Sequence, residues 1–225
     1  MKSNLARKIL PTARAQRKRE RTRDGLVAAA EVLFAKRGPD AVSIDEITAA
    51  ADVAKGTFYT HFSDKDDLAR TLARSVRLEL EDQVTRVNSG ISDPGIRMAN
   101  GLACFLSFAV HQPTRARTLS RLLSGATNPE APINAGLRND ELSGIAKERF
   151  DVPSPNAAVL TAIGACAAAI AFLVEAPGAR GQTTAGETVA IVLRGFGIKP
   201  AEAKRLAENA VAQAFAVQQR EGKRS

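Results

Sequence analysis

The sequence predicts an all-α fold, with a small N-terminal helix-turn-helix unit followed by a larger helical region. Three observations carry this. A capped helix, a tight turn and a second short helix are written into Ser43–Leu68, SIDEITAAADVAKGTFYTHFSDKDDL. The rest of the chain is a series of helix-length segments punctuated by prolines. No stretch of useful length alternates with the two-residue period of a half-buried strand. At 225 residues the chain is long enough for about 75 residues of helix-turn-helix domain and about 150 of helical domain.

The first helix is marked by Leu26, Ala30, Leu33 and Phe34 on one face, and it ends at Arg37-Gly38. Ser43 is an N-cap, and Glu46 three positions later completes a capping box. Ile44, Ile47 and Ala51 then give one apolar face of about two turns. Asp52-Val53-Ala54 is the break, since Asp tolerates turn geometry and Val53 can plug the space between two helices. A short helix follows over about Lys55–His61, with Phe58 and Phe62 four apart and inward. That leaves Lys55, Thr57, Tyr59, Thr60 and His61 on the outer surface, and Gly56 lets another backbone come close. Asp64 caps the next helix, and Asp66 and Asp67 complement the positive end of its dipole.

Charge is unevenly placed. The chain carries 32 Lys and Arg against 24 Asp and Glu, a net charge of +8. The first 23 residues hold nine of the cations and a single acid, Glu20, so the whole excess lies ahead of the motif. Alone, such a run reads as a solvated, disordered arm. Beside a helix-turn-helix it reads as a phosphate-neutralising or minor-groove tail, and DNA becomes the favoured partner over mere helix packing.

Beyond the motif, the candidate helices are about Lys65–Asn88, Gly95–His111, Thr114–Leu123, Ile133–Phe150, Ser154–Glu175, Thr184–Phe196 and Ala201–Arg220. A proline fits the first turn of a helix and not its interior, which sets the breaks at Pro94, Pro113, Pro129 with Pro132, Pro153 with Pro155, Pro177 and Pro200. The uncharged stretch Ala157–Val174 approaches the length of a membrane span. It is Ala-rich and no aromatic belt flanks it, so a buried helix is expected and no membrane partner. Gly164, Ala168 and Ala171 permit another helix to approach closely. His61 and His111 with Cys104 and Cys166 make no CxxC, HExxH, Walker or GxSxG pattern, so neither an enzyme, a metal site nor a cofactor is expected. With no signal peptide in view, the cysteines are expected as reduced cytoplasmic thiols, inert in the core sooner than a redox pair.

Residues from about Thr22 to Leu72 resemble the DNA-binding domain of the TetR family of transcriptional regulators. The resemblance rests on LVAAAEVLFAKRG, the capped second helix, VAKGTFYTHF and SDKDDL, in that order and spacing. It implies a basic, disordered arm over residues 1–20, a helix-turn-helix DNA-binding domain over 21–75, and a helical effector-binding and dimerisation domain over 76–225. It also implies a cytoplasmic, homodimeric repressor of double-stranded DNA, released from a pseudo-palindromic operator by a small molecule. A DNA-binding architectural protein without an effector is the alternative, and a helical module that does not bind DNA is a third. By resemblance, Lys55, Gly56, Thr57, Tyr59 and His61 face DNA, with base reading by Lys55 and Tyr59 and phosphates held by Thr57, His61, Lys65 and Ser43. Ala54 and Thr60 depart from the family's usual residues, which leaves the operator open. The effector pocket is expected among Asn100, Cys104, Phe105, Phe108, His111, Leu122, Thr161, Cys166 and Phe172. Low aromatic content, with no Trp, points to an apolar or amphipathic small ligand. The Ser154–Glu175 helix and one from Thr184–Arg220 are expected to form the dimer interface.

Overall fold

Helix formers run through nearly the whole chain, and the computed structural model is built of helices joined by short turns. It describes residues 13–122, 128–175 and 180–221, without the side chains at 118, 120–122, 133, 220 and 221. Among the described residues there is no strand. The chain divides into two compact units, the first ending at Leu72 and the second beginning at Ala73. The division falls within a helix, three residues before the expected domain boundary.

The first unit contains α1 (Ala13–Arg37), α2 (Ile44–Ala50), α3 (Lys55–Tyr59) and the start of α4 (Lys65–Val87). Leu26, Ala30 and Phe34 of α1 close on Ile47, Phe58, Phe62 and Leu68, all buried. α1 stops at Gly38, whose φ of 79° lets its amide return to the Phe34 carbonyl at 2.8 Å. Residues 1–12 of the expected arm lie outside the described residues. Residues 13–20 are the opening turns of α1 and not a disordered arm. Ala13, Ala15 and the Arg, Lys and Gln residues that follow have high helix propensity, and Gln16 adds a hydrogen bond to Glu20 at 3.4 Å.

The second unit comprises the remainder of α4, α5 (Pro94–His111), α6 (Pro113–Leu122), a single 3-10 turn (Pro132–Asn134), α7 (Ala135–Ala146), α8 (Pro155–Glu175), α9 (Gly181–Gly195) and α10 (Pro200–Glu221). Four of these α-helices and the 3-10 turn begin on a proline, where the missing amide costs nothing. α5 packs against α6, α7, α8, α9 and α10. Its composition explains why: between Asp93, which caps it, and His111, the only charged side chain is Arg97.

Several helix ends differ from expectation for identifiable reasons. α3 stops at Tyr59, not His61, because the Thr60 and His61 amides turn to Thr57 and Phe58 in i→i+3 bonds of 3.1 and 2.9 Å. α7 stops at Ala146, not Phe150. Glu148 takes a φ of 54°, and Phe150 folds back over Gly144 so closely that a Cβ there would lie 2.1 Å from its ring. Phe150 then packs on Phe196, with ring centroids 5.4 Å apart. Arg149 joins three helix ends, pairing with the α5 cap Asp93 at 3.2 Å and with Glu202 of α10 at 2.7 Å.

Candidate nucleic-acid interface and internal cavity

The helix-turn-helix is assembled by short-range polar contacts. The Ser43 amide and hydroxyl both donate to Glu46 Oε2, at 2.8 and 2.9 Å, and the Glu46 amide donates back to Ser43 Oγ at 3.2 Å. The Ser43 amide, then Arg37 at 2.7 Å, hold the Glu46 carboxyl down to about 2. α1 and α2 are thereby joined across the outside of the apolar core. Asp52 takes the left-handed conformation, with φ 52°, and the Val53 amide returns to the Thr48 carbonyl at 3.0 Å. The turn into α3 is set by this pair. Asp64 accepts the Asp67 amide at 2.7 Å, the cap expected for α4.

α3 is held from beneath by Phe58, wholly buried, and Phe62 just after it. Tyr59 stands 54% exposed on the opposite side, its ring edge-on to Phe58 at 5.4 Å. Lys55 and Gly56 are exposed and Thr57 is half-buried, so these positions and Tyr59 share one accessible surface. A Cβ on Gly56 would meet nothing within 4 Å, so no internal packing calls for glycine there. Lys55 does not project freely. Its ammonium pairs with Asp45 of α2 at 2.8 Å, and that carboxylate raises its pKa. Lys65 donates to the carbonyls of Val42 at 3.0 Å and Asp40 at 3.4 Å, so much of its donor capacity is committed to the loop before α2. His61 is half-buried, and burial, followed by the nearby Arg19 and Arg23, lowers its pKa below the ordinary imidazole value.

Two residues beside this surface were not singled out by sequence. Arg19 donates to the Thr60 carbonyl at 3.4 Å. Arg23 lies over the Phe62 ring at 5.1 Å and donates to Thr71 at 3.4 Å. Their spacing of four, in register with Leu26 and Ala30, was the available signal.

The second unit encloses a cavity of about 370 Å³ bounded by α4, α5, α7 and α8. Its apolar wall includes Met98, Leu102, Phe105, Ile163 and Ile170, and its polar wall is made by Arg77, Glu81, Arg97 and Asp140. Arg77 pairs with Glu81 at 2.7 Å, donates to Asn134 at 3.1 Å and lies over Phe105 at 5.0 Å. Arg97 pairs with Asp140 at 2.6 Å and donates to the carbonyls of Asn88 and Ile91.

Of the residues expected in an effector pocket, Phe105 and Cys166 line this cavity. Asn100 and Cys104 instead face a second cavity of about 360 Å³ formed with α10. Phe108 is core, with the Arg115 guanidinium 5.6 Å from its ring. His111 packs edge-on to Phe215 at 5.0 Å and bonds back to the Ser107 carbonyl at 2.9 Å. Thr161 and Phe172 point outward from α8, so they line neither cavity. The side chain of Leu122 lies outside the described residues. Burial pushes the thiols of Cys104 and Cys166 up to about 12, which suppresses thiolate chemistry at both.

The helix-turn-helix and the helical fold have counterparts among known proteins. Residues 26–72 match the family described as bacterial regulatory proteins, tetR family. The chain is similar to RolR crystallised with the ligand resorcinol, at 28% identity and a TM-score of 0.62, over 85% of this chain and 95% of that one. RolR without ligand matches at 26% identity and a TM-score of 0.58, over 82% and 95%. A TetR-family transcriptional regulator from Pectobacterium atrosepticum shares the fold at 23% identity and a TM-score of 0.63, over 82% and 98%.

Proposed function

We propose that this chain, a member of the tetR family of bacterial regulatory proteins, is a cytoplasmic, ligand-responsive repressor that binds a pseudo-palindromic operator as a homodimer. The observation that carries the DNA half of this reading is α3. Two buried phenylalanines anchor it, and its outward surface offers Lys55, Gly56, Thr57 and Tyr59. In the major groove, Lys55 and Tyr59 read base edges, while Gly56 admits the phosphate backbone closely. To bond a base, Lys55 exchanges Asp45 for a guanine or thymine acceptor. Ser43, Thr57, His61 and Lys65 lie toward the flanking phosphates, with His61 acting as a neutral donor and Lys65 through whatever donor capacity Val42 and Asp40 leave it.

The homodimer is supported by α8. Leu160, Gly164, Ala168 and Phe172 recur every fourth residue along it, all exposed and all uncharged. Ile191 on the neighbouring α9 is 65% exposed. α8 is long and apolar enough to cross a membrane, but 44% of its apolar window is already buried against the other helices. A second subunit covers the remaining stripe more economically than lipid, and a two-fold pair presents two α3 helices to successive major grooves roughly 34 Å apart. The effector enters the cavity between α4, α5, α7 and α8. Its binding shifts the dimer population toward a spacing that the operator does not fit.

Fluorescence anisotropy on the DNA upstream of the gene, against a scrambled duplex and across a salt series, tests this. Saturation at two subunits per duplex with preference for the upstream DNA is the expected result. Tyr59→Ala is expected to cut that preference about tenfold or more while leaving binding to the scrambled duplex nearly unchanged. Equal, salt-steep binding to both duplexes would favour an architectural protein instead. In solution, Phe172→Glu should convert the dimer to monomer by light scattering.

A further inference from the structure

We propose that the cavity between α4, α5, α7 and α8 selects an uncharged molecule with an apolar body and two hydrogen-bond donors, held by Glu81 and Asp140. The inference rests on reading that cavity as the effector site and assigns its ligand class.

Charge balance is the first argument. Every formal charge in the polar wall already faces its opposite, Arg77 with Glu81 at 2.7 Å and Arg97 with Asp140 at 2.6 Å. Arg77 is nearly buried and Asp140 largely so. Glu81 and Arg97 keep partial exposure, 28% and 32%. A carboxylate or ammonium ligand would bring in a charge whose counterion is engaged, and it would have to break a partly desolvated pair to gain one.

Hydrogen-bond inventory is the second. Much of the wall's donor capacity is spent. Arg77 serves Glu81 and Asn134, Arg97 serves Asp140 and two carbonyls, and Thr85 Oγ1 donates to the Glu81 carbonyl at 2.8 Å. The carboxylates are less committed. Both arginine contacts fall on Glu81 Oε1 and on Asp140 Oδ1, and among the described residues Oε2 and Oδ2 accept no hydrogen bond. Such oxygens ask for donors, and neutral hydroxyls supply them without an added charge.

Spacing is the third. Glu81 Oε2 lies 3.9 Å from where a Cβ on Gly136 would stand, and Gly136 is one helical turn before Asp140 on α7. Positions i and i+4 are about 6 Å apart on a helix face, so Glu81 and Asp140 stand on one stretch of the wall, on the scale of one small ring carrying two hydroxyls. Gly136, with no side chain, leaves that end of the cavity open to such a ring.

Isothermal titration calorimetry on the full chain tests this, since the sequence has no Trp to report by fluorescence. The probes are benzene derivatives of similar size: 1,3-dihydroxybenzene, benzoate, benzylammonium and toluene. The expected result is that the diol binds at least tenfold more tightly than the other three. E81Q turns the Oε2 acceptor into a donor while keeping shape and the bond from Arg77. It should weaken the diol about tenfold and leave toluene unchanged. D140N should do the same. E81Q is the primary variant because D140N also weakens the pair to Arg97, and thermal unfolding of both variants reports whether each folds. Preference for benzoate or benzylammonium would overturn the ligand class while leaving the effector cavity in place. Equal binding of toluene and diol, indifferent to E81Q, would overturn the role of the two carboxylates. Heat from none of the probes would overturn the inference together with the cavity reading.

Discussion

The two units of this chain are organised over different distances in sequence. In the first, the contacts that cap and orient the short helices are within four residues: Ser43 with Glu46, Asp64 with Asp67, Phe58 with Phe62. In the second they are remote: Arg97 with Asp140, Arg149 with Glu202, Arg77 with Asn134. A surface built from neighbours presents its residues in an order that the sequence itself displays. A cavity built from distant helices acquires its wall only when the bundle closes.

Phe58 is where the two units should part most clearly. Phe58→Ala removes the wholly buried anchor of α3 and should cost about 3–5 kcal/mol. Separate units predict that DNA binding is lost while most far-UV helical signal and the calorimetric response to a cavity ligand persist. Loss of all three at once would sink the division. In the second unit, Gly144→Ala places a Cβ against the Phe150 ring and should cost about 1–3 kcal/mol in urea unfolding, with little effect on operator affinity once folded.

Glu141 gives the second unit a pH dependence of its own. Its carboxyl is wholly buried on α7, neither oxygen is bonded among the described residues, and burial, with Asp140 adding to it, pushes its pKa up to about 8. The folded state therefore holds this proton more tightly than the unfolded one. Its contribution is fully present below the ordinary value of 4.5 and is lost as pH rises through about 8. Glu141→Met removes the unsatisfied group. It should stabilise the protein by about 1–3 kcal/mol at pH 8.5 and by much less at pH 5, measured by urea unfolding. A gain that does not change with pH would mean that the carboxyl is solvated. The smallest effect belongs to the first unit: Ser43→Ala removes one half of a solvent-facing capping box and should cost about 1 kcal/mol of thermal stability.

Legibility followed distance along the chain in both units. The capping box, the Asp64 cap, the stop at Gly38 and the inward phenylalanines could be read because each is a local rule. The proline-led helices of the second unit could be read for the same reason. Not legible were the ion pair that occupies Lys55, the carbonyls that engage Lys65, and the charged half of the cavity wall. Arg77 and Glu81 have the spacing of an ordinary surface pair, and only the closing of α5 and α7 over them makes a wall. The outward direction of Thr161 and Phe172 was not legible either, because a helix that is apolar all round carries no phase from which to orient it. Residues 13–20 carry the charge density of an arm and the helix propensity of α1, and the propensity prevails.

The proline that opens α6 has a consequence for how copies of the chain can combine. α5 and α6 are separated by Gln112 alone, whose φ of −128° and ψ of 56° are not helical. Straightening that elbow would place Pro113 inside one long helix, where it offers no amide to the Ala109 carbonyl and its ring strikes that carbonyl, at about 3 kcal/mol. Exchange of α6 through α10 between two copies by merging helices would therefore meet an obstacle at its hinge, which favours each copy keeping its own cavity walls.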